Sequence, residues 1–375
     1  MPTAFEPDPA AAGRPSVAGR EVFRYARIEA PEDLPAGDER AVDVAVLDLN
    51  HGWHNLGHDS LVLSVERMAR DLAPALAAAG LGVRVLSFAV RHRGMLPEPP
   101  GGRFAIYLGT GGPGHLDPAR NDGVSAGSQG LREDPSWEAP AFALFDAIRA
   151  DPEAALLVVC HSFGVLCRWS GAARPALRGP AEGGKRTGVL ENVLSDEGRA
   201  HPWFSRFATA LPQGRRLRVM ENRLFDLIPP DPEGDAAGEP SPQGFVPIGY
   251  DEDEVPGRAG AGRALTMLEL ARDRGGVMPR IFGVNHHPEV VDRAHQLEVL
   301  EAKLARGEVD RAWYDERRET MTRMHLHEDS DRLLQLTSHY TLYGPLRFHL
   351  ERQVRRRAAA LGRPVDLDED RILDG

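Results

Sequence analysis

The chain has 375 residues, a 42% apolar share and a formal net charge of −11. That share is ample for a sizeable core, and the charge argues against nucleic acid or another polyanion as the main partner. Only two cysteines (Cys160 and Cys167) and no apolar run of roughly 18 residues exclude a disulfide framework and a membrane span, so a cytoplasmic protein is expected.

Residues 1–20 are rich in Pro, Ala and Gly without periodicity, and residues 1–40 as a whole are expected to form a partly disordered N-terminal tail. The first firm strand is Val42–Asp48. A His-rich loop follows, then a helix from near Ser60 whose apolar residues Leu61, Val65, Met68, Leu72 and Leu76 recur at helical spacing up to Gly80. Val83–Phe88 and Phe104–Leu108 are further strands, a helix runs from Pro140 to about Ala150, and 155–159 is a buried strand that turns sharply at Cys160. Strands alternating with helices imply an α/β fold: a doubly wound, mainly parallel sheet over residues 41–306. Leu217–Met220 and Arg280–Val284 read as strands, Ala264–Leu270 as strand or helix, and 229–262 as a long inserted loop with the character of a lid. The helical periodicity after Val290 is assigned, from 307 to 375, to a C-terminal extension, with Phe348, Leu350 and Val354 turned inward and Arg352, Arg355, Arg356 and Arg357 outward.

Three stretches carry chemistry. The third strand ends in Gly109-Thr110-Gly111-Gly112-Pro113-Gly114-His115, where glycines let backbone N–H groups approach a substrate as an oxyanion hole requires. Cys160 stands at a strand-to-helix bend, where the next helix terminus favours a thiolate. The late strand ends in Gly283-Val284-Asn285-His286-His287-Pro288-Glu289, and residues two apart in extended chain let Glu289 orient His287 as a proton carrier. The same bend admits a second reading, a serine esterase elbow with Ser162 as nucleophile and His286 or His287 as base. His51, His54 and His58 fall within eight residues at the carboxyl end of the first strand, where they could ligate a metal; the favoured reading is a polar capping loop, with no metal or cofactor expected, and His325-Leu326-His327-Glu328-Asp329 reads as a solvated loop.

Taken in order, the three stretches resemble the class I glutamine amidotransferase family. Its patterns are a Gly-rich oxyanion loop, a nucleophile in Gly-x-Cys-x-Gly-x-Gln and a closing Gly-Val-Gln-Phe-His-Pro-Glu. The resemblance spans roughly residues 42–300, and its last motif matches at five of seven positions. It implies a flavodoxin-like fold with Cys160 as nucleophile, His287 as base and acid, and Glu289 as its orienting partner. Gly111, Gly112, Pro113, Gly114 and His161 would hold substrate and oxyanion, with the Gly112 and His161 N–H groups as donors.

The departures bear on the substrate. Val158 and Ser162 replace the family's glycines, Gly164 replaces its Gln, and Glu221–Asp226 does not match its glutamine-binding segment. The expected substrate is therefore a small amide or γ-glutamyl-type compound, with glutamine one member of that class. No nucleotide-binding Gly-x-x-x-x-Gly-Lys-Ser/Thr or Gly-x-Gly-x-x-Gly motif is present. Any ammonia acceptor would then be a separate synthetase subunit, or the chain acts alone as hydrolase or transferase. The altered glutamine pocket also leaves open a non-catalytic sensor or assembly protein on the same fold.

Overall fold

In a computed structural model, the described residues are 16–17, 20–230, 244–254, 263–305, 307, 309–324 and 328–367. The chain runs through β1 (Phe23–Ile28), β2 (Ala41–Asp48), α1 (Leu56–Asp71), α2 (Ala73–Ala79), β3 (Gly82–Ala89), β4 (Phe104–Gly109), α3 (Glu138–Ala150), β5 (Ala155–Val159) and α4 (His161–Ser170). It continues with β6 (Arg174–Leu177), β7 (Arg186–Leu194), α5 (Phe204–Ala210), β8 (Arg216–Arg223), β9 (Phe225–Ile228), β10 (Val246–Glu254), β11 (Arg263–Arg272) and β12 (Pro279–Val284). Last come α6 (Arg293–Ala305), α7 (Arg311–Met324), α8 (Glu328–Ser338), a π-helical turn at His339–Tyr343, and α9 (Gly344–Ala360).

Ten strands form one sheet in the order β8-β7-β10-β11-β12-β5-β4-β2-β3-β1. The six from β12 to β1 are parallel. The remaining four add on antiparallel. In β2 every residue is buried, as a strand covered on both faces requires. Its side chains alternate: Val42, Val44 and Val46 join one core with α1, α2 and α9, while Ala45 and Leu47 join another with α3 and α4. The doubly wound α/β architecture expected from the sequence is thus present.

Several local expectations need correction. The first helix starts at Leu56, with Asn55 capping the Gly57 and His58 N–H groups, and breaks at Leu72 because Pro74 opens α2. Within the expected tail 1–40, residues 23–28 form the edge strand β1, whose Arg27 reaches buried Asp48 at 2.8 Å. Within the expected loop 229–262, residues 246–254 form strand β10, whereas 231–243 and 255–262 lie outside the described residues. So do 325–327 of the expected solvated loop. The helical C-terminal segment is present as expected, and it packs on the sheet: Leu346, Leu350, Val354 and Ala358 of α9 are fully buried in the same core as Val44 and Ile106. Phe348, expected inside, is only partly buried against that core.

Candidate active site

The apolar strand β5 ends at Cys160, whose φ of 52° and ψ of −108° turn the chain directly into α4. L-residues avoid that region because Cβ crowds the backbone, so the bend must be held by its surroundings. It is. The Cys160 N–H donates to Val284 O at 2.8 Å and the Ser162 N–H to Thr110 O at 3.2 Å. The Ser162 hydroxyl donates to Val159 O at 2.9 Å and accepts from the Val159 N–H at 3.0 Å. Ser162 is 1% exposed, so its oxygen is a brace for the bend and does not present itself to a substrate.

Val158 stands where the resembling family has Gly, and the neighbouring strands make room for it. It pairs in register with Gly109 on one side and Gly283 on the other. A Cβ at Gly109 would lie 2.9 Å from Val158 Cγ1, and one at Gly283 would lie 2.7 Å from Val158 Cγ2. Beyond the bend, a Cβ at Gly164 would lie 2.5 Å from Leu116 Cδ1. The space a longer residue would need at 164 is therefore filled by Leu116.

The end of β12 brings the base to the bend. His287 is tied by its N–H to Met220 O at 2.8 Å, and its Nδ1 lies 2.8 Å from Glu289 Oε1. A Cβ on Gly111 would meet His287 Cε1 at 3.2 Å and Cys160 Sγ at 3.7 Å, so imidazole and thiol lie side by side under the glycine loop. Burial disfavours the imidazolium, but Cys160 and Glu289 together hold the His287 pKa well above its usual value. Glu289 is 1% exposed and presses on the first turn of α1: a Cβ at Gly57 would come within 2.6 Å of its Oε1. From behind, the C-terminal segment braces this loop, with the Ser338 hydroxyl donating to Pro288 O and Thr341 Oγ1 3.2 Å from His286 Nε2. His286 is thereby placed in the interior. Burial, then His287, lower its pKa to about 3, which makes it a neutral packing residue rather than a base.

The glycine loop is clamped by side chains that local sequence patterns do not reveal. Buried Arg91 forks onto Glu133 (2.6 and 2.7 Å) and donates to Leu49 O (2.9 Å) and Pro113 O (2.7 Å). Gln129 Oε1 accepts from the Gly114 N–H and Asn121 Oδ1 from the His115 N–H, both at 2.7 Å, so neither N–H is available to an oxyanion. A Cβ on Gly112 would strike Leu49 O at 2.3 Å, so only glycine fits there. His161 is buried against the Gly112 backbone; burial, then Arg91, depress its pKa well below the ordinary value.

A cleft of about 160 Å³ opens over these groups, with Gly112, Pro113, Gly114, Cys160, His161 and His287 all on its wall. The expected site residues therefore converge, with Glu289 behind His287 and Gly111 against the thiol. The far wall comes from residues outside any recognisable motif, including Lys185 before β7, Arg223 at the end of β8 and Arg317 on α7. His51, His54 and His58 do not converge: His58 is buried between Asp59 and Ser87, His51 packs on His92, and His54 packs on Trp313. Among the described residues, no three His, Cys, Asp or Glu side chains gather as metal ligands would.

No family model matches the chain, and no curated protein matches it by sequence. Among solved structures, it is similar to SMU.1228c at 14% identity and a TM-score of 0.41, covering 82% of this chain and 98% of that one. It is also similar to a Thermoplasma acidophilum protein provisionally described as one of the subunits of GMP synthase, with 11% identity and a TM-score of 0.36, covering 66% and 85%. A third is the glutaminase domain of Trypanosoma brucei CTPS with bound acivicin, at 9% identity and a TM-score of 0.34, covering 66% and 86%. These likenesses are distant ones and say nothing of family or reaction. No described helix is long and apolar enough to cross a membrane.

Proposed function

We propose that the chain is a thiol-dependent amidase or amidotransferase acting on a carboxamide or γ-glutamyl-type bond. The observation that carries this reading is the meeting of Cys160, His287 and Glu289 at a strained strand-to-helix bend beneath a clamped glycine loop. His287 takes the thiol proton, and Glu289 keeps its other nitrogen protonated and stabilises the imidazolium. Cys160 Sγ adds to the carbonyl carbon, and the oxygen that gains the charge is received by the Gly112 and His161 N–H groups. As the C–N bond breaks, His287 returns the proton to the departing nitrogen, leaving a thioester. Water, deprotonated by His287, then attacks the thioester, releasing the acid and restoring the thiol. The ammonia is lost to solvent or passes to a separate acceptor protein.

The test is intact mass after treatment with a diazo-ketone analogue of glutamine, followed by peptide mapping. A single adduct on Cys160, absent in Cys160→Ser, is the expected result. An adduct that survives Cys160→Ser would overturn the nucleophile. No adduct, with Cys160 still readily alkylated by a small haloacetamide, would remove glutamine and keep the acyl chemistry.

A further inference from the structure

We propose that the site selects amides that carry a carboxylate, and that Lys185 and Arg317 hold that carboxylate over Cys160. The proposal rests on Cys160 being the nucleophile. In a chain of net charge −11, the described wall of the Cys160 cleft carries three cations, Lys185, Arg223 and Arg317, and no Asp or Glu. A pocket that reverses the sign of the molecule around it concentrates anions at its mouth.

The three cations are not equivalent. Arg223 is 1% exposed and already committed, with Glu221 Oε1 at 3.0 Å, Asp226 Oδ1 at 3.2 Å and Asp251 closing on its guanidinium. Arg317 lays its guanidinium over the Trp313 ring, with Cζ 5.4 Å from the centroid, and pairs with Glu316 at 3.1 Å on the surface of α7. Such exposed neighbour pairs are weak and exchange readily. Glu316 itself lines the adjoining hollow and not the Cys160 cleft. Lys185 stands at the exposed lip. Crowding by the protein lowers its pKa, the Cys160 charge and Glu316 support its ammonium, and Arg317 repels it. Lys185 and Arg317 line the same small cleft as Cys160, where a substrate carboxylate can meet both cations. Leu116, Leu224 and Phe225 line the same cleft and leave an apolar surface for the carbon chain of the substrate. On this reading α7 is part of the active site and supplies selectivity that the β-sheet does not.

The experiment uses two reagents of nearly equal size, iodoacetate and iodoacetamide, on the full-length protein, with alkylation of Cys160 followed by mass. The wild type, Lys185→Gln/Arg317→Gln, Lys185→Arg and the remote control Arg311→Gln are compared. The double variant is expected to lose about tenfold in the iodoacetate rate while the iodoacetamide rate moves less than about twofold. Lys185→Arg and Arg311→Gln should keep the wild-type ratio, and about 0.5 M salt should shrink the wild-type preference. An unchanged ratio in the double variant overturns the proposal. Equal falls with both reagents also overturn it, because the cations would then act on the thiol and not on the ligand. If neither reagent modifies Cys160 in the wild type, the nucleophile reading itself fails, and this one with it.

Discussion

Replacing Cys160 by Gly should leave the protein more stable than replacing it by Ala. Both substitutions remove the sulfur, so their difference isolates the Cβ at φ 52°, ψ −108°. A non-glycine residue in such a region carries about 1–3 kcal/mol of strain. Glycine ordinarily costs about 0.5–1 kcal/mol relative to alanine through the freedom it has when unfolded. The net expectation is that Cys160→Gly exceeds Cys160→Ala by about 1 kcal/mol, seen as a thermal midpoint higher by about 1–2 °C in a chain of this size. The exposed α3 position Ala143 provides the contrast, since Ala143→Gly should lower stability by a similar amount. The measurement is paired thermal and urea unfolding at neutral pH. If Cys160→Ala equals or exceeds Cys160→Gly while Ala143→Gly behaves as expected, the bend is not strained and the argument that its surroundings hold it open fails.

Acid should destabilise the fold well before its carboxylates titrate. Burial lowers the pKa of His286 to about 3 and that of His349 to about 4, so below the ordinary 6.5 the unfolded chain binds protons that the folded chain refuses. Their contribution is intact above 6.5 and falls by about 1.4 kcal/mol per unit for each His, roughly 4 kcal/mol for both at about pH 5. His287, whose folded pKa is raised, contributes no slope in that window. His161, His51, His115 and His339 are depressed as well, so His349→Gln should remove about 2 kcal/mol of the decline between pH 6.5 and about 5 and leave the rest, and an unaltered slope would exclude His349 as a cause. Lys303 Nζ lies 2.8 Å from Asp59 Oδ2 with both side chains buried, so Lys303→Met should cost about 3 kcal/mol in urea unfolding, with part recovered in Lys303→Met/Asp59→Asn. Ser162→Ala should lose about 1–3 kcal/mol of stability yet keep haloacetamide labelling of Cys160; lost labelling with intact folding would revive the serine reading.

Five of the six parallel strands, β2, β3, β4, β5 and β12, were legible because they are near-continuous apolar runs, a pattern that leaves little choice of environment. The elements read less well are those whose charges are matched from far away. β1 holds two arginines in six residues and resembles surface chain until Arg27 meets Asp48. β10 ends in Tyr250-Asp251-Glu252-Asp253-Glu254, and only the Arg186 and Arg223 side chains of other strands make Asp251 a buried residue. α9 showed its apolar stripe, but the stripe does not say that the surface it covers is the main core beside Val44 and Ile106. The same limit divides the site. Cys160, His287 and Glu289 are specified by neighbours in sequence, whereas Arg91 with Glu133, and Lys185 with Arg317, are brought together only by the fold.

The two motif departures at the bend have opposite physical meanings, which a position-by-position comparison of sequences cannot separate. At Val158 the bulk is accommodated by glycine at both register partners, Gly109 and Gly283, so the tight crossing of three strands survives with the small residues moved sideways. At Gly164 the missing side chain is replaced by no polar group. Leu116 occupies the space, and a Cβ there would already be too close. The first change leaves the Cys160 bend intact, whereas the second puts an apolar side chain where the resembling family places a polar one. On the proposed reading, such a site keeps its reaction and changes its selection. That is why the charges on the far wall, Lys185 and Arg317, are the place to look for what the substrate carries.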